Sequence, residues 1–273
     1  MMNWQDHRKY YLVYFCILFF LFQLLRSLNG LCLSQLGDAF IFQTRQDPLL
    51  WVFTAVGIPS FIIHNIWLCG FLDALIFLLP VMLYFTQKKK HFHLAWVFFL
   101  LYGVYLLIAF AYPTLSIRKY LGLALVILIF SANSEIKYHR LIKYFRYYVC
   151  FIFVSAALWK MTRGTLFDGA QFSTILITQH FDHNLFFPDH ISTRLASFFI
   201  GHNNIAYIFY IIVGLFQLSF LLGFFTRKYD KFLALAMILF VIGDFLIMRI
   251  EYWEFGVFLP LFFLPSTAPR NKT

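Results

Sequence analysis

Apolar residues run along this chain in long, nearly unbroken blocks, and charged residues are confined to the gaps between them. No sustained alternation of apolar and polar residues marks half-buried strands, and the blocks are too long for strands of ordinary length. A bilayer core about 30 Å thick is crossed by about 20 apolar helical residues. On that measure the pattern predicts helices at 10–28, 66–86, 93–112, 118–133, 145–161, 203–225, 231–249 and 252–265. The expected fold class is therefore all-α, a polytopic transmembrane bundle of about eight spans forming a single membrane domain over 1–273. The segments at 118–133 and 252–265 are short, so each is either a span helped by snorkelling flanks or a partly inserted helix. The stretch 49–64 is apolar but broken by Gly57 and Pro59, and reads as an interfacial or re-entrant helix.

Composition supports this pattern. With 62% hydrophobic and 12% charged residues, the chain has too little polar surface to coat a water-soluble globule of its length. The net charge of +10 does not point to nucleic acid, because the basic residues lie between apolar runs and not on one water-facing surface. They do orient the chain. With the N-terminus inside, the inner gaps hold Arg8, Lys9, Lys88, Lys89, Lys90, Lys137, Arg140, Lys143, Arg146, Arg227, Lys228, Lys231, Arg270 and Lys272, which is 14 of the 22. Both termini are then expected in the cytoplasm, with a bacterial cytoplasmic membrane as the location. The first run follows Arg8 and Lys9 but ends without a small-x-small cleavage site, and reads as an uncleaved span.

This orientation puts 162–202, the longest polar stretch, outside as a loop that is functional or carries short helices of its own. Just before it, Ser155, Ala156 and Ala157 permit close helix approach, and Lys160 follows at the outer end of the fifth segment. One reading makes Lys160 a snorkelling anchor. The other makes it a partly desolvated amine that acts as a base or holds an anion. Asp244 sits inside the seventh segment five residues before Arg249, and should face protein, either as half of a structural pair with Arg or Lys or as a proton or substrate contact. His180 and His183 are three apart in the outer stretch, with Asp182, His190 and His202 near, a spacing open to acid–base chemistry or metal but ordinary for a solvated loop. Cys16, Cys32, Cys69 and Cys150 form no Cys-x-x-Cys pair and read as small buried hydrophobes; Cys32 and Cys69 pair only if their helices adjoin.

The run Ala156-Ala157-Leu158-Trp159-Lys160, followed by Asp168-Gly169, resembles the "Ala-Gly-x-x-Lys … Trp-x-x-Gly" pattern of the HTTM family, the membrane module of vitamin K-dependent γ-glutamyl carboxylases. The segment Gln217–Arg227 and the apolar helix after it are similar to that family's next helix pair, so the resemblance covers about 145–264. It implies a catalytic Lys160 facing the non-cytoplasmic side and a quinone or vitamin K-like ligand. The family's Asn-His-x-Tyr-Leu stretch corresponds to Ile117-Arg118-Lys119-Tyr120-Leu121, which lacks the Asn-His pair, and the later histidine is replaced by Asp244, so carboxylation itself is not expected. The same region also resembles the DoxX superfamily, through Arg146, Lys160, Gly223, Thr226 and Arg227.

These readings make Lys160 the candidate catalytic residue and Asp168, His180, His183 and Asp244 the candidate substrate contacts, with no metal site assigned. The expected partners are the bilayer, a quinone or lipid ligand, or another membrane protein. Three functions stay open: an HTTM-like protein acting on a quinone or lipid at an outward-facing pocket, a non-enzymatic DoxX-like component of a redox or assembly complex, and a transporter.

Overall fold

The computed structural model describes residues 3–36, 52, 55–86, 93–110, 121–250 and 252–265. The Lys88–Lys90 run, Arg45, Arg118, Lys119, Glu251, Arg270 and Lys272 lie outside the described residues, as does most of 49–54. Every regular element among the described residues is helical, and the chain divides into two compact helical units, Met1–Leu141 with Pro265–Thr273, and Ile142–Leu264.

In the first unit, α1 (Trp4–Leu28) starts at Asn3, whose side chain accepts the Gln5 N–H, and ends with Arg26 in its last turn, where a cation complements the helix dipole. A 3₁₀ turn (Leu33–Gln35) follows. Gly57 adopts φ +75°, a left-handed conformation that relieves the strain a Cβ would bring, and Pro59 fills the first turn of α2 (Ile58–Ile63). The break expected in 49–64 therefore falls at a helix start. Next come α3 (Ile66–Thr86), α4 (His93–Phe110) and α5 (Leu121–Val126), the last continuing as a 3₁₀ segment, Ile127–Ser131. Phe15, Phe19, Phe98, Tyr102 and Phe130 interlock edge-to-face or tilted in the core. Arg8 closes the end of the 3₁₀ segment by donating to the carbonyls of Phe130 at 2.6 Å and Ala132 at 2.9 Å.

The second unit begins at Ile142, within the next helix, α6, which runs from Glu135 to Thr162. Its start corrects one expectation: Lys137, Arg140, Lys143 and Arg146, read as an inner loop, are helical, because Glu135 supplies a favourable first-turn charge and no breaker intervenes. The 162–202 stretch carries short helices of its own, one of the readings open for it: α7 (Gln171–Phe186) and α8 (Ile191–Gly201). Then follow α9 (Asn203–Ser219), α10 (Leu222–Phe225), α11 (Asp230–Met248) and a 3₁₀ segment, Trp253–Phe262. Phe153 of α6 stacks on Phe220 at 4.1 Å between ring centroids. Gly223 lies so close to Cys150 that a Cβ would overlap its Sγ. All four cysteines are free thiols.

Among the described residues, five stretches, Trp4–Gln35, Ile66–Thr86, Glu135–Thr162, Asn203–Phe225 and Asp230–Met248, are long and apolar enough to cross a membrane. Large apolar side chains such as Ile17, Trp67, Phe71, Phe85 and Phe225 point outward from these stretches, as a lipid-facing surface requires. The two short segments form only a single α-turn pair with a 3₁₀ tail and a ten-residue 3₁₀ helix.

Candidate functional site

Lys160 sits in the last turn of α6, half-buried, where its backbone carbonyl is held by the Thr165 hydroxyl at 3.1 Å. Its Nζ donates to Oε1 of Gln217 at 3.1 Å and lies 5.0 Å from the centre of the Tyr210 ring. Tyr210 and Gln217 are seven residues apart on α9, two turns along one face, so one helix presents both a ring and an amide to the amine. Asp244 of α11 is half-buried and its carboxylate acts electrostatically on the same ammonium. Thus the structure brings Lys160 and Asp244 together, an Asp–Lys arrangement that was one of the readings open for Asp244.

The turn after α6 fixes this geometry. Gly164 takes φ +72°, and Leu166 then drops into a notch at Gly214, where a Cβ would stand 2.7 Å from the leucine methyl. Leu166 joins Phe172, Leu176, Ala196, Phe199, Ala206 and Tyr210 in the core of this end of the unit. Gly214 lies one turn before Gln217, so the notch sets the height at which α9 offers its amide to Lys160.

Asp168 is exposed, and its carboxylate accepts the Ala170 N–H at 2.9 Å to shape the entry to α7. His180 and His183 depart from the solvated histidines expected of a loop: both are buried, because α7 packs them inward. His180 is fully covered and its Nε2 pairs with the Ile247 carbonyl at 2.7 Å near the end of α11, which leaves Nδ1 buried with no partner among the described residues. His183 Nδ1 meets the Thr193 hydroxyl at 2.8 Å, and its ring centre is 5.0 Å from that of His190. Burial lowers the pKa of both histidines from its ordinary value, and the charges of Arg249 and His190 add to the effect. Among the described residues no group of three His, Cys, Asp or Glu side chains is arranged to hold a metal ion.

A second constellation lies about 21 Å down α6 from Lys160, on a rise of about 1.5 Å per residue. Arg146 pairs with Asp230 through Nε and Nη2, and also donates to the carbonyls of Gly223 and Thr226. Arg227 donates to the other face of Asp230 at 2.8 Å and to the Leu264 carbonyl at 2.8 Å. Arg146, Gly223, Thr226 and Arg227 were singled out in the sequence, but Asp230, which ties them together, was not. Its signal was available: an acidic residue in the first turn of a long apolar helix, three after an arginine. Asp73 was also missed, although a lone carboxylate inside an apolar run is a standing indication of a polar site.

No protein-family model matches the chain, and no curated protein and no solved structure matches it either.

Proposed function

We propose that this chain is a multi-pass membrane protein of about eight spans, HTTM-like in its second half, with both termini in the cytoplasm of a bacterial cell and Lys160 facing outward. In this reading Lys160 binds the polar end of a quinone or lipid lying among the helix ends. The observation that carries it is the setting of the Lys160 amine, which donates to Gln217, lies over the Tyr210 ring and feels the charge of Asp244 on a further helix. A lysine serving only as an anchor extends to the headgroups and needs no such seat. An ammonium with one amide, one ring and one carboxylate around it keeps a donor to offer a ligand oxygen, and Asp244 can balance its charge.

A second reading is a DoxX-like, non-enzymatic component of a membrane complex, favoured by the Arg146–Asp230–Arg227 network, whose groups all serve to tie helices together. The two diverge at Lys160→Arg. That change keeps the charge but loses the compact amine, so an enzyme loses activity and a partner protein keeps its complex.

The direct test is mass spectrometry of the protein purified in mild detergent. A quinone or lipid that co-purifies with the wild type and is lost from Lys160→Gln supports the reading, and equal retention by the two overturns it. The orientation is tested separately in a background without the native cysteines. Ser197→Cys should react with a membrane-impermeant thiol reagent in intact cells, whereas Tyr229→Cys and Lys89→Cys should not, and labelling at 229 reverses the topology.

A further inference from the structure

Arg26 is 93% covered in the first unit, yet neither its Nε nor its Nη2 has a hydrogen-bond partner among the described residues; its exposure is only 7%. These two nitrogens share one edge of the guanidinium, and together they form the fork that meets both oxygens of a carboxylate or phosphate. A buried charged donor left unpaired costs far more than an exposed one, and native proteins seldom carry one without a purpose.

The neighbouring carboxylate is not the missing partner. Asp73 is already saturated: Oδ1 accepts the Leu33 N–H at 3.1 Å and the Tyr105 hydroxyl at 2.8 Å, and Oδ2 accepts the Ser34 N–H at 2.8 Å and the Ser34 hydroxyl at 2.6 Å. Tyr105, fixed by that bond, offers its ring to Arg26, with the guanidinium carbon 5.1 Å from the ring centre. The result is a charged fork backed by an aromatic ring, with both nitrogens of its binding edge buried and unpaired among the described residues.

We propose that Arg26 is the receptor for a monoanionic oxyanion, a carboxylate or a phosphodiester, bound side-on to Nε and Nη2. The monoanion is favoured over a dianion because the Asp73 carboxylate stands at the hydroxyl of the same tyrosine, so a second negative charge on the ligand would be opposed. This inference concerns the first unit and does not rest on the role of Lys160.

The test uses the full chain in detergent and reads its melting temperature against matched pairs of probes: oleate with methyl oleate, and phosphatidylglycerol with diacylglycerol. The anionic member of each pair should raise the melting temperature by several degrees and the neutral member should not. Acetate and dimethyl phosphate distinguish the source, since a shift with these as large as with the amphiphiles identifies a small free anion and not a lipid headgroup. The shift should vanish in Arg26→Gln, persist in Arg163→Gln, and need about tenfold more probe in Arg26→Lys, which retains the charge without the fork. Equal shifts with anionic and neutral probes in the wild type, or a full shift in Arg26→Gln, overturn the proposal. Should Arg26→Gln fail to fold, the wild-type pairs and Arg26→Lys still decide it.

Discussion

Two buried arginines, one in each unit, show what distinguishes a residue that holds a fold from one that awaits a ligand. Arg146 in the second unit has all three nitrogens engaged, by Asp230 and by the carbonyls of Gly223 and Thr226. Arg26 in the first unit is nearly as deeply covered, yet a ring lies against it and its Nε and Nη2 are unpaired among the described residues. Both lie in stretches long and apolar enough to cross a membrane. The same chemistry, equally buried, is structural where its donors are consumed within the chain and functional where they are not.

The largest effect expected of this contrast is at Asp230. Asp230→Ala removes the counter-charge of Arg146 and half the support of Arg227, and should lower stability by about 3–5 kcal/mol, read as a melting-temperature loss in detergent. A loss below about 1 kcal/mol would mean that the network is solvated and that the contrast with Arg26 has no basis.

Packing around the satisfied arginine should be nearly as sensitive. Gly223→Ala drives a methyl into Cys150 and shifts the carbonyl that Arg146 uses, at a cost of about 1–3 kcal/mol. Cys150→Ala in the same protein makes room for that methyl, so the double variant should be less destabilised than the sum of the single changes. Simple additivity would show that the two helices do not meet there.

Acidification extends the comparison to the uncharged side chains of the second unit. His180 and His183 have pKa values lowered by burial, so the folded state binds fewer protons than the unfolded chain just below the ordinary value of about 6.5. Their contribution to stability is full above that value and is lost as the pH falls through it. The melting temperature should therefore drop between about pH 7.5 and about pH 5.5, and drop less in His180→Gln/His183→Gln. A flat profile in the wild type would place both rings in water.

Smallest of all should be the cost of removing the unsatisfied arginine. With no ligand added, Arg26→Met gives up one ring contact and relieves a buried unpaired charge, so stability should change by no more than about 1 kcal/mol. A loss comparable to that of Asp230→Ala would show that Arg26 is structural after all.

Much of this architecture is legible in the pattern of the chain, and the exceptions share a cause. The apolar blocks locate α1, α3, α4, α9 and α11, because a run of that length has few folded alternatives. Lys160 and Asp244 stand out because charges amid apolar residues are rare. The start of α6 is hidden, since the same lysines and arginines that suggest an inner loop are also good helix formers. His180 and His183 look solvated in sequence because spacing reports which face of a helix they share and not what packs against that face.

The amino-acid sequence by itself determined that the chain is helical, that its apolar stretches are long enough for a bilayer, and which few charged residues lie within or beside them. These are local properties, read from composition and run length. Only the tertiary structure decided which of those charges are satisfied. Asp230 meets Arg146 across 84 positions of the chain, Gln217 meets Lys160 across 57, and Tyr105 meets Asp73 across 32. A hydrogen bond depends on a few tenths of an ångström between groups that the chain brings together from far apart, and no local pattern encodes that distance.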